Sequence, residues 1–236
     1  MNSKRSTIFI TGITSGIGYE ILQICLEKNF HVTAVIRHDS QKNQFKDISS
    51  ENLSLYVADL SKKEPLQKVA QSLKFKSFDY ILLNAGCARI GLFHQLPEES
   101  IDEIMEVNVL GTMRLVHAFL PQSIKDGTKF IFVSSLVARL PASRYATYAT
   151  SKAALSKFVE SVRREYKEVS FLLVEIGAVD TPLHSKANNV GVNKRHFKSP
   201  RVIAQRLFKA MLNKTGTVTL SLDWALIRKL AMIVGL

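Results

Sequence analysis

Seven short apolar runs punctuate the chain, and between them lie stretches whose apolar residues recur every three or four positions. The runs are Thr7–Thr11, His31–Ile36, Leu53–Ala58, Asp79–Asn84, Lys129–Ser134, Ser170–Ile176 and Thr217–Leu222. Most are apolar on both faces, the pattern of strands in a parallel sheet covered by helices on each side. The stretches Gly16–Lys28, Gln41–Ser49, Pro65–Leu73, Ser100–Ser123, Tyr148–Tyr166 and Pro200–Asn213 read as helices. The alternation predicts an α/β, Rossmann-like, doubly wound fold, with a seven-stranded, mainly parallel sheet and helices on both faces. With 236 residues, 46% of them hydrophobic, the chain can bury one core, so a single domain over 1–236 is expected.

Two segments break the rhythm. After the sixth strand the run "DTPLHSKANNVGVNKRHFKS" is polar and rich in Asn and Lys. A loop of that length leaving the carboxyl end of a strand is expected to cover a ligand, so 182–199 reads as a substrate lid. At the other extreme "LSLDWALIRKLAMIVGL" is apolar, with Asp223 placed to cap a helix over 223–236. That helix is shorter than the ~20 residues a bilayer requires, and is expected to dock on its own domain, on a second subunit, or at a membrane surface.

Charge changes the picture only locally. The net charge is +12, yet up to Thr181 the chain carries 22 Lys and Arg against 19 Asp and Glu. From Pro182 onward there are 10 basic residues against Asp223 alone. No recognition helix, zinc motif or aromatic-basic platform accompanies the excess, so no nucleic-acid partner is expected. Cys25 and Cys87 are far apart and lack metal-ligand spacing, and no metal is expected. The N-terminus has no signal-peptide core. A soluble, cytoplasmic protein is expected, with peripheral membrane contact through the C-terminal helix left open.

The strongest local signal follows the first strand. "TGITSGIG", Thr11 to Gly18, opens a helix. Gly12 permits the tight turn, Gly16 lets backbone approach a pyrophosphate, and Gly18 lets the helix lie close to the sheet. With Thr14, Ser15 and Ile17 they form a dinucleotide-phosphate cradle at a helix N-terminus. At the end of the second strand, "AVIRHDS" places Arg37 where a ribose 2′-phosphate is read and Asp39 two residues later. The guanidinium favours NADP over NAD, and Asp39 is the residue that would reverse that preference. Asp59 and Leu60 after the third strand, and Asn84, Ala85 and Gly86 after the fourth, are placed to border the flat parts of the same cofactor.

The chemical end is read from "RYATYATSKAAL". Tyr148 and Lys152, four apart on a helix, share a face, and an ammonium beside a phenol favours phenolate. Ser135 closes the fifth strand 13 residues earlier. A hydroxyl and a phenol together can hold a carbonyl oxygen while hydride reaches its carbon, the phenol supplying the proton.

In order and spacing, "TGITSGIG", Asp59-Leu60, Asn84-Ala85-Gly86, Asn108, Ser135, and Tyr148 with Lys152 resemble the compact, single-domain type of the short-chain dehydrogenase/reductase family, from Thr7 to about Leu222. The resemblance implies Tyr148 as general acid/base, Ser135 as the carbonyl-orienting donor, and Lys152 lowering the phenol pKa while bonding the nicotinamide ribose. It implies that Asn108 holds a water relaying protons from Lys152, and that Gly177 and Thr181 contact the carboxamide. Ile176 stands where the family often has Pro, and Ala138 where Gly is common. The expected substrate is a small carbonyl or alcohol, bordered by Ala142, Ser143 and Tyr145. The basic lid hints at an anionic or acyl-carrier group, the apolar tail at a lipid-like ketone. A homo-oligomer is usual in similar proteins. The alternative is a catalytically idle NADP(H)-binding sensor or scaffold.

Overall fold

The computed structural model describes residues 5–185 and 197–220. The expected lid is therefore seen only at its two ends, and the expected C-terminal helix lies outside the described residues. The strands are β1 Thr7–Thr11, β2 His31–Ile36, β3 Leu53–Val57, β4 Tyr80–Leu83, β5 Lys129–Ser135, β6 Ser170–Ile176 and β7 Gly216–Leu220. They form one sheet in the order β3-β2-β1-β4-β5-β6-β7. Every pairing is parallel, so "mainly parallel" understated the case. The helices are α1 Gly16–Glu27, α2 Lys63–Leu73, α3 Glu99–Met105, α4 Gly111–Asp126, α5 Ala146–Glu165, the short α6 Pro182–Ser185, and α7 Pro200–Asn213.

Side chains alternate across the pleat and feed two cores. Ile8, Ile10, Ala34, Ile131 and Leu172 pack beneath α1 and α7. Phe9, Val35, Phe130, Phe132 and Phe171 face α2, α4 and α5. On that second face the rings of Phe130 and Phe171 stack at 5.5 Å across neighbouring strands, which holds β5 and β6 in register through side chains as well as backbone.

Two expected helices came out differently. Gln41–Ser49 is a 3-10 turn over Asp39–Phe45. The Gln41 side-chain oxygen accepts from the backbone N–H of both Arg37 and His38, at 2.8 and 3.0 Å, and this local bonding holds a tight turn in a run with little apolar periodicity. Ser100–Ser123 is not a uniform α-helix, because a π-turn over Glu106–Leu110 separates α3 from α4. The wider turn accommodates Asn108, fully buried, and Gly111, where a Cβ would come within 2.7 Å of the Leu60 carbonyl oxygen.

Candidate active site

The strand order reverses between β1 and β4, and at that point the carboxyl ends of the two strands are stapled together. The Asn84 amide donates to the carbonyls of Thr11 and Gly12, both at 3.1 Å, while its own N–H donates to the Thr11 hydroxyl. Asn84 thus fixes the glycine turn through its side chain. Gly12 sits at φ +77°, a left-handed conformation that favours glycine. At Gly18 the constraint is space, since a Cβ would lie 2.0 Å from the Gly12 carbonyl oxygen.

A cavity of about 770 Å³ runs along this carboxyl edge. It is lined by the whole of the expected cofactor set: Gly12, Thr14, Ser15, Gly16, Ile17, Gly18, Arg37, Asp59, Leu60, Asn84, Ala85, Gly86, Tyr148, Lys152, Gly177 and Thr181. Ser135 lines it too. Thr181 comes close to Gly16, where a Cβ would meet its methyl at 3.0 Å, so the end of β6 and the glycine turn face each other. Asn108 is the expected residue that does not border the cavity. Its amide oxygen accepts from the Cys87 N–H at 2.8 Å, and its nitrogen donates to the Cys87 carbonyl and the Ser151 hydroxyl, both at 2.9 Å. Ser151 in turn donates to the Tyr148 carbonyl at 2.7 Å. The side chain of Asn108 therefore joins the end of β4 to the first turns of α5.

At the chemical end three groups converge. Tyr148 and Lys152 are both buried on α5, with the ammonium 5.8 Å from the phenol ring centroid. Lys152 donates to the Val133 carbonyl of β5 at 3.0 Å, and Ser134 bonds Ser156 at 2.8 Å, so α5 is docked on the strand that carries Ser135. Burial pulls the Lys152 ammonium down to about 8. Burial pushes the Tyr148 phenol up to about 12, with the Ser135 hydroxyl opposing the rise through a hydrogen bond. In the protein alone desolvation outweighs the Ser135 hydrogen bond, so the phenol lies above its ordinary value and not below it as expected from Lys152. A protonated phenol is the form that donates to a carbonyl oxygen.

Beside this trio the wall is apolar. Ala88 and Tyr148 form a small cluster against which Ile90, Val137, Tyr145 and Leu183 pack. Ala142 and Ser143 border the cavity as expected, joined by Pro141 and Phe197, whereas Ala138 is absent from its lining. The Arg144 carbonyl accepts from Gly91 N–H at 3.0 Å, which closes the loops after β4 and before α5 on each other. Val179 and Lys198 pair in a parallel bridge, with Lys198 N–H donating to the Ala178 carbonyl and Asp180 N–H to the Lys198 carbonyl.

At the opposite end, Arg37 donates to Asp59 at 2.8 Å and approaches Glu103 at 3.5 Å; Arg89 meets the same Glu103 at 3.1 Å. Burial works against the charged Asp59, but the Ser61 N–H and hydroxyl together with Arg37 hold its carboxyl below the usual range. Asp39 does not border the cavity and pairs with Lys42 at 2.6 Å. Gln41, Cys87, Arg89, Glu103 and Val107 also line the cavity and were missed from the sequence. Val107 and Glu103 share a face, four residues apart, a spacing that could have flagged them once Asn108 was singled out.

The short chain dehydrogenase family profile matches residues 6–190. The chain belongs to that family. A short chain dehydrogenase of Pseudocercospora fijiensis is 32% identical, over 84% of this chain and 70% of its own. An Arabidopsis thaliana protein described as 11-beta-hydroxysteroid dehydrogenase-like 3 is 27% identical over 77% of this chain. The chain spans 62% of that relative's length and 55% of an uncharacterized oxidoreductase of Saccharomyces cerevisiae. Among solved structures, a short chain dehydrogenase from Burkholderia cenocepacia in complex with NADP superposes with a TM-score of 0.82 at 22% identity, covering 98% of this chain and 94% of the other.

Proposed function

We propose that this chain binds NADP(H) in the 770 Å³ cavity and transfers hydride between the nicotinamide and a carbonyl or alcohol substrate, with Tyr148 as general acid/base. The observation that carries the reading is the convergence of Ser135, Tyr148 and Lys152, two of them buried, at one end of a cavity whose other end is a glycine turn.

The residues fit the cofactor. At Gly12 and Gly18 a Cβ would run into the backbone of Ala85 and of Gly12 itself, so glycine is what permits the tight turn that presents the N-terminus of α1 to the cavity, and α1 opens there with no acidic residue in its first turn to repel a pyrophosphate. Arg37 is the cation available to a 2′-phosphate, and Asp39, held by Lys42, does not compete for the ribose. The NADP complex of the Burkholderia relative supports the same choice. When bound, the dinucleotide supplies or accepts the hydride. Ser135 and Tyr148 hold the carbonyl oxygen, and the phenol donates its proton to that oxygen as the hydride arrives. In the oxidative direction the phenolate takes the alcohol proton. Lys152, its ammonium made more acidic by burial, would bond a ribose hydroxyl and hold charge beside the phenolate. The apolar flank of Val137, Tyr145 and Leu183 on the cavity suits a substrate whose carbonyl neighbours are hydrocarbon.

The test is a fluorescence titration with NADPH and with NADH, followed by turnover on a panel of ketones and aldehydes. Tighter NADPH binding with turnover supports the proposal. Binding without turnover on any carbonyl or alcohol would return the chain to a sensor or scaffold, and preference for NADH would remove Arg37 from its assigned role.

A further inference from the structure

On the cavity wall at the end of β2, two cations face two carboxylates. Arg37, Asp59, Glu103 and Arg89 all border the cavity and are linked in a row by ion pairs of 2.8, 3.5 and 3.1 Å. The two carboxylates do different work. One Asp59 oxygen is fixed by the Ser61 N–H and hydroxyl at 2.9 and 2.8 Å, and the other takes the Arg37 Nε, which aims the guanidinium. Glu103 instead touches only the outer Nη1, at 3.5 Å, and spends its better contact on Arg89. It holds Arg37 weakly while cancelling its charge.

Resting on the NADP(H) reading above, we infer that Glu103 is a specificity-determining residue that weakens phosphate-bearing dinucleotides: it competes with the 2′-phosphate for Arg37, and Arg89 restrains that competition by holding Glu103 aside. A phosphate entering this row adds up to about two negative charges to a set that is already balanced. It must displace the Glu103 contact from Arg37 or bear its repulsion. A dinucleotide with a free 2′-hydroxyl brings no charge to that place and is indifferent to Glu103. Both side chains sit at the rim, partly exposed, so the effect is modest and screened by salt.

The experiment measures dissociation constants of NADPH and NADH, at low and at high salt, for the wild type, Glu103→Gln, Arg89→Gln and the double variant. At low salt Glu103→Gln is expected to tighten NADPH by about two- to fivefold and to leave NADH unchanged. Arg89→Gln should weaken NADPH by a similar factor, and the double variant should return to or surpass the wild-type value. High salt should shrink all three effects. Wild-type preference for NADH would overturn the cofactor reading and this inference together. If the wild type prefers NADPH but Glu103→Gln weakens it, leaves it unchanged, or shifts NADH equally, the inference alone falls, and a selective weakening would instead make Glu103 an orienting residue for Arg37.

Discussion

The residue proposed as acid/base is a phenol kept neutral by its surroundings. Tyr148 is pushed up to about 12 and Lys152 pulled down to about 8 by the same cause, loss of water around both. Tyr148→Phe keeps the ring and its packing while removing the proton, so turnover is expected to fall by at least about a hundredfold with NADPH affinity changed by less than about twofold. Steady-state rates alongside a binding titration check both halves of that statement. Lys152 carries a separate consequence for stability. Its folded pKa of about 8 lies below the ordinary 10.5, so the folded state binds fewer protons between those values. The cost of burying the ammonium is full below pH 8 and fades as pH rises toward 10.5. Denaturant midpoints should show Lys152→Met gaining stability over the wild type at pH 7, with the gain shrinking by pH 10. At the other end of the cavity, Arg37→Ala should weaken NADPH far more than NADH, as read by calorimetry.

Elements made of repeated apolar positions were legible in the chain, and those shaped by one buried polar group were not. All seven strands are visible because residues such as Phe130, Ile131 and Phe132 are buried on both faces, which leaves an unbroken apolar run. The π-turn was invisible because apolar residues continue through Glu106–Leu110, and only the bonds from Asn108 to Cys87 and Ser151 show why the helix widens there. Asn108→Ala would leave the Cys87 N–H and carbonyl without their partner, at a cost of about 2 to 3 kcal/mol. A chemical denaturation curve measures that loss, and an unchanged midpoint would mean that the turn is held by other contacts. The 3-10 turn after β2 was missed for a related reason, since Gln41 uses its side chain on backbone N–H groups that a regular helix would have left to water. The candidate site was legible where glycines and the Ser, Tyr and Lys residues follow strand ends in sequence. Glu103 and Arg89 were not, because their meeting with Arg37 joins positions 66 residues apart and leaves no local pattern.

For the molecule as a whole, ligand and fold should be coupled. The cavity is walled by the carboxyl ends of six strands, so a dinucleotide that binds only the folded state stabilises the entire sheet. At a hundred times its dissociation constant, NADPH is expected to add about 2.7 kcal/mol. In a chain of this size that raises Tm by about 5 to 10 °C, measurable by differential scanning fluorimetry, with a smaller rise for NADH at equal concentration. The strand order also divides the molecule along the β1–β4 seam. Everything before the seam in sequence contributes the glycine turn, Arg37 and Asp59; everything after it contributes Ser135, Tyr148 and Lys152. Such a layout invites recombination, in which a foreign first half would bring its own cofactor preference to an unchanged reaction centre. The row of ion pairs crosses the seam, however, and Glu103 and Arg89 stay behind with the second half. A chimera made at that boundary would inherit its cofactor preference incompletely, and exchanging those two residues along with the first half would complete the transfer.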